Sequence, residues 1–221
     1  MFVASGVGPF FGQAVHFKHF APEKVDYAHT RYQYEAQRHA GILNDRLAER
    51  KYMALGPKDA AVTIVEYASM TCPHCAAFAE QVFPKIKAAY IDTNKIRYVF
   101  REFPLDIKAA AGSMLARCIA KDDPVKYFAA IDTLFRQQEN WFNKTSEQLT
   151  LIGKQAGLSE KDVDTCLKDQ SLLDKIAADQ KFANEKLKVN STPTFFLNGE
   201  MIKGETSFEE FDKRIKALLK S

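Results

Sequence analysis

A pair of cysteines two residues apart stands between a predicted strand and a predicted helix, and this arrangement constrains the fold more than any other feature. Residues 62–67 read Val-Thr-Ile-Val-Glu-Tyr, a β-branched and aromatic run that predicts a strand. The motif Cys72-Pro73-His74-Cys75 follows and opens a helix that we predict to run to about Ala89. Proline suits the first helical turn, because an N–H at that position would have no intrahelical acceptor, so its absence has no cost. The sequence therefore predicts a Cys-x-x-Cys motif at a helix N-terminus.

The other predicted elements form one sheet and a helical insert. Strands are predicted at 52–55 and 96–103, and a hairpin around Asn198-Gly199 joins strands at 194–197 and 201–203. Ser207 is the predicted N-cap of a last helix. Between the strands we predict only helices, at 107–121, 124–140, 146–156, 159–168 and 171–187. Both ends of the region 52–221 thus contribute to one sheet, as expected for an α/β protein.

Residues 1–51 differ in character from the rest of the chain. Apolar residues recur at three- to four-residue steps over 23–51, which predicts a long amphipathic helix that needs a surface to pack on. Residues 1–15 are uncharged and largely apolar, but they lack the basic start of a secretory signal. They fit a signal remnant, an added start or a native apolar segment, and we favour a mature or trimmed chain of an exported protein.

The charge balance argues against nucleic-acid binding, and the hydropathy pattern argues against a membrane-spanning segment. The chain carries 31 basic and 28 acidic residues, for a net charge of +3. Since no stretch concentrates Lys and Arg, we expect no nucleic-acid partner. The sequence also has no run of about 18 uncharged apolar residues, so we predict no membrane span.

The two motif cysteines suit thiol chemistry. At a helix start, unpaired N–H groups and the positive end of the helix dipole favour the thiolate of Cys72, which is the attacking species in disulfide exchange. Cys75 can reach Cys72 to close a disulfide, and His74 can stabilise the thiolate by a hydrogen bond or by charge. A zinc half-site is the alternative, but the two further ligands are missing at suitable spacing. We therefore expect no metal, and no cofactor beyond the Cys72–Cys75 disulfide.

The residues around the motif resemble a known family. Residues 66–75 read Glu-Tyr-Ala-Ser-Met-Thr-Cys-Pro-His-Cys, and Thr192-Pro193-Thr194-Phe195 follows much later. Together they resemble the DsbA-like branch of the thioredoxin superfamily over about residues 52–221. The resemblance implies a thioredoxin fold made of 52–106 and 188–221, with an inserted all-helical subdomain at 107–187. Residues 1–51 then form an N-terminal helical extension and linker.

The resemblance also implies a role for each matching residue. Cys72 is the nucleophile that forms mixed disulfides, and Cys75 is the resolving thiol. Pro193 is a cis proline beside them, and Thr192 offers backbone hydrogen bonds to a substrate strand. From the residues alone, Pro193 fits equally a trans proline at the start of an edge strand. Glu66 is a possible proton relay if it is buried, and an ordinary strand residue if it faces solvent.

Within the family, two features favour an isomerase over an oxidase. The oxidases are typically monomers with an apolar residue before the cis proline, whereas the isomerases are oligomers, often with Thr there. This chain has Thr192, and the aromatic residues of its extension resemble the oligomerisation stalk of trimeric, ScsC-like isomerases. A helix docked on its own domain is the other interpretation of the extension.

The resulting prediction is a homotrimeric disulfide isomerase of the periplasm or another exported location. Its expected partners are unfolded or misoxidised client proteins, a membrane or soluble redox partner, and other copies of the chain joined through residues 1–51. A monomeric dithiol oxidase and a redox-dependent peptide-binding or sensor module are the alternatives.

Two further cysteines, Cys118 and Cys166, stand in separate helices of the insert. If the helices pack together, these cysteines can form a structural disulfide, which the expected oxidising compartment favours. The alternative is a pair of buried free thiols that behave as small apolar residues.

Overall fold

The computed structural model describes residues 13–14, 16, 25–28, 30–32, 34 and 53–220, and no helix among them is long and apolar enough to span a membrane. The chain divides into two compact units, Met1–Tyr52 and Met53–Ser221. In the first unit, all described residues except Val25 are helical, and Tyr27 and Tyr34 are exposed. Most of the helix predicted over 23–51, and with it the predicted oligomerisation extension, lies outside the described residues.

A mixed five-stranded sheet forms the centre of the second unit. Its strands are β1 (Ala54–Leu55), β2 (Val62–Ala68), β3 (Ile96–Glu102), β4 (Thr194–Leu197) and β5 (Glu200–Lys203), in the spatial order β1-β3-β2-β4-β5. The central strands β2 and β3 are parallel, and every other neighbouring pair is antiparallel. Strands from both ends of the unit meet in this sheet, so the predicted α/β fold with a helical insertion is confirmed.

The register of the sheet carries Glu66 into the core. Side chains at every second position of a strand share one face, and Val62 and Ile64 of β2 are fully buried. Glu66 continues this series, with Phe100 of β3 and Phe195 of β4 as its partners across the sheet. Its exposed fraction is 4%, so the alternative in which Glu66 faces solvent is wrong.

The helix after the cysteine motif is interrupted, so the single helix predicted to about Ala89 is wrong. The first helix, α1, spans Pro73–Gln81, and α2 spans Phe83–Ile86 before a π-helical turn over Lys87–Ile91. Pro84 explains the interruption, because proline lacks the N–H that would bond four residues back and its ring clashes with that carbonyl.

The insert consists of helices throughout, as predicted. They are α3 (Ile107–Ala120), α4 (Pro124–Arg136), α5 (Gln138–Asn143), α6 (Thr145–Gln155), α7 (Glu160–Leu167) and α8 (Gln170–Leu187). The single helix predicted over 124–140 is wrong, because the chain turns at Gln137 between α4 and α5. This turn lets the Trp141 ring enter the core, where its indole N–H donates to the Leu134 carbonyl at 2.7 Å.

Aromatic packing joins the insert to the sheet. The Phe100 ring of β3 contacts three rings of α4, those of Tyr127, Phe128 and Phe135. Rings in tilted and edge-to-face contact stabilise a core beyond the area that they bury. The insert and the sheet therefore share one hydrophobic core.

A buried ionic cluster also lies between the sheet and the insert. The Glu102 carboxylate at the end of β3 accepts hydrogen bonds from the Arg117 guanidinium of α3, at 2.7 Å, and from the Tyr127 hydroxyl, at 2.6 Å. Burial would raise the pKa of Glu102, but the charge of Arg117 and the hydrogen bonds from Arg117 and Tyr127 together outweigh it and hold that pKa below its ordinary value. Removing either charged partner would leave the other buried without its counter-charge, which is strongly destabilising.

Local sequence signals determine the last hairpin turn and the start of the final helix. Asn198 and Gly199 have φ values of 47° and 92°, as the two central positions of a type I′ hairpin turn require. The Asn198 side chain also accepts the Thr63 N–H at 2.7 Å, which ties the turn to β2. The hydroxyl of Ser207 caps the final helix, α9 (Phe208–Leu219), by accepting the Glu210 N–H.

A disulfide joins Cys118 of α3 to Cys166 of α7. Their Cα atoms are 6.3 Å apart, within the range that a disulfide spans. The bond closes a loop of 48 residues that includes α4, α5 and α6. It therefore restricts the unfolded chain over much of the insert.

Replacing both insert cysteines by alanine should lower the free energy of unfolding by about 4 kcal/mol on the chain-entropy relation for a loop of 48 residues. Denaturant unfolding of the oxidised proteins measures the difference. Under reducing conditions the wild-type protein also lacks the bond, so the two midpoints should converge there. A difference that persists unchanged in reductant would mean that packing, and not the crosslink, provides the stability.

Candidate active site

Cys72 occupies the N-cap of α1, and Pro73 takes the first helical position. The Cys72 carbonyl accepts the N–H groups of Cys75 and Ala76 at 3.1 and 3.2 Å, and the Cys72 N–H bonds to the Ser69 carbonyl at 3.1 Å. A helix start leaves its first N–H groups without intrahelical partners and concentrates positive charge there. The Cys72 sulfur therefore lies where the chain stabilises negative charge.

Several donors converge on the Cys72 sulfur. A hydrogen bond from the Cys75 side chain is the main cause that lowers the pKa of Cys72 from 9.0 to about 5. Burial opposes this shift, while Thr192 and the backbone N–H groups of Cys75 and His74 add to it. At neutral pH, Cys72 is therefore a thiolate.

Cys75 has the opposite character. Both motif cysteines are free thiols in the structure, and Cys75 has no exposed surface. Burial is the main cause that raises the pKa of Cys75 far above its ordinary value, and the hydrogen bond to Cys72 and the charge of Glu66 raise it further. The pair thus consists of one reactive thiolate and one protonated thiol that becomes a nucleophile only when it loses its proton.

The segment before β4 completes the surroundings of Cys72. The Thr192–Pro193 peptide bond is cis, and the Cys72 sulfur lies 3.3 Å from the Thr192 carbonyl oxygen, to which it donates a hydrogen bond when it is a thiol. Among the described residues, the buried Thr192 hydroxyl has no hydrogen-bond partner. A thiolate at Cys72 provides the acceptor that this hydroxyl lacks.

A buried carboxyl group lies behind the cysteine pair. The Tyr98 hydroxyl of β3 donates a hydrogen bond to Glu66 Oε2 at 2.5 Å. Burial raises the pKa of Glu66 from 4.5 to about 8, against the opposing effect of the Tyr98 hydrogen bond, and the charge of Cys72 raises it further. Glu66 therefore keeps its proton at neutral pH and is electrostatically coupled to both cysteines.

The side chain of His74 points to the rim of the site. It is 64% exposed, and its Nε2 lies 3.5 Å from Glu205 Oε1, the distance of a weak surface pair. The help that His74 gives to the thiolate comes from its backbone N–H. This differs from the side-chain interaction expected from its place between the two cysteines.

Two residues of the site carry no signal in the sequence. Tyr98, the partner of Glu66, lies 32 positions away in β3, and Gln138 of α5 donates from its side-chain amide to the carbonyls of Met70 and Cys72. Each contact depends on how distant elements pack, which local patterns of residues do not report.

Comparison with known proteins agrees with this fold. A family model described as thioredoxin matches residues 48–217. The crystal structure of Wolbachia pipientis alpha-DsbA1 superimposes with a TM-score of 0.71 at 32% identity, covering 76% of this chain and 91% of that one. The chain therefore belongs to the thioredoxin family, and its fold is DsbA-like.

Two curated relatives are similar over shorter or weaker matches. A protein of Rickettsia bellii, whose name proposes a protein-disulfide oxidoreductase, is 41% identical over 149 residues, or 66% of this chain. The match spans only 57% of that relative's length. The "Probable disulfide bond formation protein D" of Bacillus cereus is 30% identical over 80% of this chain and 83% of its own.

Replacing Thr192 by valine should raise the pKa of Cys72 by about one unit, because valine keeps the shape but removes a hydrogen bond to the thiolate. The ultraviolet absorbance of the thiolate, followed against pH in the reduced protein, measures this pKa. Thr150→Val, which removes a hydroxyl in α6 that bonds to the Ser146 carbonyl, is the matched control. An unchanged pKa in Thr192→Val would exclude a contribution from the hydroxyl.

Glu66 makes stability depend on pH, with a sign that follows from its raised pKa. The folded protein holds this proton more tightly than the unfolded chain, so the stabilisation is fully present below pH 4.5 and is lost as the pH rises through about 8. Glu66→Gln should remove this loss. Denaturant unfolding of the oxidised proteins tests it, because the cysteines do not titrate there and burial, the main cause of the raised pKa, remains. Parallel curves of stability against pH for the two proteins would contradict the assignment.

Proposed function

We propose that this protein is a thiol–disulfide oxidoreductase that passes its Cys72–Cys75 disulfide to cysteine-containing client proteins. The observation that carries the proposal is the opposite displacement of the two thiol pKa values, with Cys72 at about 5 and Cys75 far above its ordinary value. A stable Cys72 thiolate stabilises the reduced form, and a disulfide whose reduced form is stable is a strong oxidant. The names of the relatives support the same class of function.

Oxidation of a client proceeds in two exchanges. A client thiolate attacks the Cys72 sulfur, so that a bond between the client and Cys72 forms while the bond to Cys75 breaks. Cys75 leaves with the electron pair and takes up a proton. A second client thiolate then attacks the client sulfur of the mixed disulfide, and Cys72 leaves as a thiolate. Two electrons pass from the client to the enzyme, and the low pKa of Cys72 makes it a good leaving group.

Glu66 is the group to which we assign proton transfer with Cys75. Its pKa of about 8 keeps it protonated at neutral pH, so it can give a proton to Cys75 as the enzyme disulfide opens. In the reverse direction, the ionised carboxylate accepts the proton of Cys75 as that sulfur attacks. A pKa near the working pH suits both directions.

Isomerisation of wrong disulfides is the second candidate function, and it uses the same reduced site. The Cys72 thiolate attacks a client disulfide and releases one client sulfur as a thiolate. This thiolate attacks another disulfide of the client, and the thiolate freed there attacks the client sulfur bound to Cys72, which leaves as a thiolate. Thr192 at the position before Pro193 favours this candidate, because the isomerases that the chain resembles often have Thr there. The exposed Tyr27 and Tyr34 side chains of the first unit support an oligomer, in which several copies of Cys72 act on one client.

The proposed working place is the periplasm or another oxidising, exported compartment. The Cys118–Cys166 bond supports this location, since disulfides persist where the surroundings are oxidising. After each oxidation the reduced Cys72–Cys75 pair needs an acceptor for two electrons, so a membrane or soluble redox partner belongs to the proposal. An isomerase needs a partner that keeps the pair reduced.

Activity on a reduced and on a scrambled test protein separates the candidate functions. The oxidised protein should accelerate disulfide formation in the reduced substrate, and Cys72→Ser should abolish this. Cys75→Ser should accumulate a mixed disulfide with the client, visible as an adduct in mass spectrometry. Cys118→Ala/Cys166→Ala, which leaves the motif intact, is the control. Absence of activity on unrelated substrates would exclude a general folding catalyst and favour a sensor.

Removing residues 1–45 tests the role of the first unit. If this unit joins copies of the chain, the truncated protein should be a monomer by light scattering and should lose repair of scrambled disulfides. It should keep simple thiol exchange, because the motif lies in the second unit. Repair at the wild-type rate by the truncated monomer would contradict the isomerase candidate in its oligomeric form.

A further inference from the structure

Gln138 links the inserted subdomain to the segment that carries Cys72. Its side-chain amide nitrogen, at the start of α5, donates to the Met70 carbonyl at 2.9 Å and to the Cys72 carbonyl at 3.1 Å. An amide group has two N–H donors, so one side chain can hold both carbonyls. Gln138 is thereby in direct contact with the backbone of the proposed nucleophile.

The segment from Ser69 to Cys72 takes further support from the insert. It lies between β2 and α1 and belongs to neither element. Thr71 donates from its hydroxyl to Asp106 Oδ2 at 2.7 Å, and Asp106 caps α3. The Met70 side chain is fully buried against α3. A Cβ atom added to Gly112 of α3 would lie only 3.3 Å from the Cβ atom of Met70. Both α3 and α5 therefore hold this segment.

The position of the Cys72 carbonyl matters for the sulfur. The carbonyl accepts the first N–H groups of α1, those of Cys75 and Ala76, and so fixes where the helix starts. The Cα atom next to this carbonyl carries the sulfur through Cβ, so a rotation of the carbonyl about the Cα–C bond turns the N–H groups of the first turn away from the sulfur. The Gln138 amide also brings partial positive charge close to Cys72.

We propose that Gln138 is a positioning residue through which the inserted subdomain holds the Cys72 carbonyl and directs the first N–H groups of α1 at the Cys72 sulfur. The inference rests on the proposed exchange function, for which the Cys72 thiolate is the reacting group. It gives α5 a role in the chemistry in addition to its packing, and Gln138 does not touch the client in this role.

Two substitutions of Gln138 separate positioning from packing. Gln138→Met keeps the length of the side chain but removes both donors, and the loss of such hydrogen bonds should raise the pKa of Cys72 by about half a unit to one unit. Gln138→Glu also removes the donors and adds a negative charge near the thiolate, so its shift should be larger. Asn140→Asp, which adds the same charge at an exposed position of α5, should leave the pKa unchanged.

The experiment follows the thiolate absorbance of each reduced full-length protein against pH, together with the equilibrium with glutathione. The variants should be less oxidising than the wild type, with equilibrium constants that shift several-fold in the same order as the pKa values. A loss of thermal stability with an unchanged Cys72 pKa in Gln138→Met would overturn the inference. If Gln138→Glu fails to fold, Gln138→Met alone decides. A wild-type protein without exchange activity would refute the proposed function, while the pKa comparison would still test Gln138.

Discussion

The Cys72 sulfur at the start of α1 accepts a hydrogen bond from the Cys75 side chain, while Cys75 itself is fully buried, and these two environments determine how the two thiols differ. Burial is the main reason why the neighbouring Cys75 remains protonated, and its side chain donates to Cys72. The buried Glu66 lies behind both and keeps its own proton for the same reason, since a second negative charge there would meet burial and the thiolate. Burial and the charge at the helix start together determine which of these three groups is ionised.

The elements around that helix start come from distant parts of the chain. The antiparallel pairing of β2 with β4 brings Thr192 to the Cys72 sulfur, although the two residues are 120 positions apart. The insert adds Gln138 on another side. Aromatic packing on Phe100 and the ion pair between Glu102 and Arg117 hold the insert against the sheet. The geometry at Cys72 therefore depends on the packing of the whole second unit.

Local sequence patterns predict the parts of this structure that short-range physics determines. The structure has a strand at the β-branched run 62–67, a hairpin at Asn198-Gly199 and a helix start at the cysteine motif, as the sequence predicts. Pro84 would have indicated the break after α1, because proline disfavours a helix interior. The turn at Gln137 has no such local sign, since it depends on the burial of Trp141 in the core.

The residues of the site fall into the same two groups, those that local sequence predicts and those that depend on distant packing. Cys72 and Cys75 follow from their spacing and from the helix that they open. Only the family resemblance predicts the cis bond before Pro193, because the neighbouring residues do not determine whether a proline is cis or trans. Tyr98 and Gln138 became visible only in three dimensions. The His74 side chain lies at the exposed rim of the site, where its nearest charged partner is Glu205.

The different bonding and pKa values of the four cysteines leave a single ionised, reactive sulfur in mildly acidic solution. Ordinary protein thiols have a pKa of about 8.5, so they are mostly protonated in mildly acidic solution, whereas Cys72 still carries its charge there. Cys75 is enclosed, and Cys118 and Cys166 are bonded to each other. An alkylating reagent at such a pH therefore attaches a probe to the described part of each chain at one defined atom, with no need to engineer the other cysteines away.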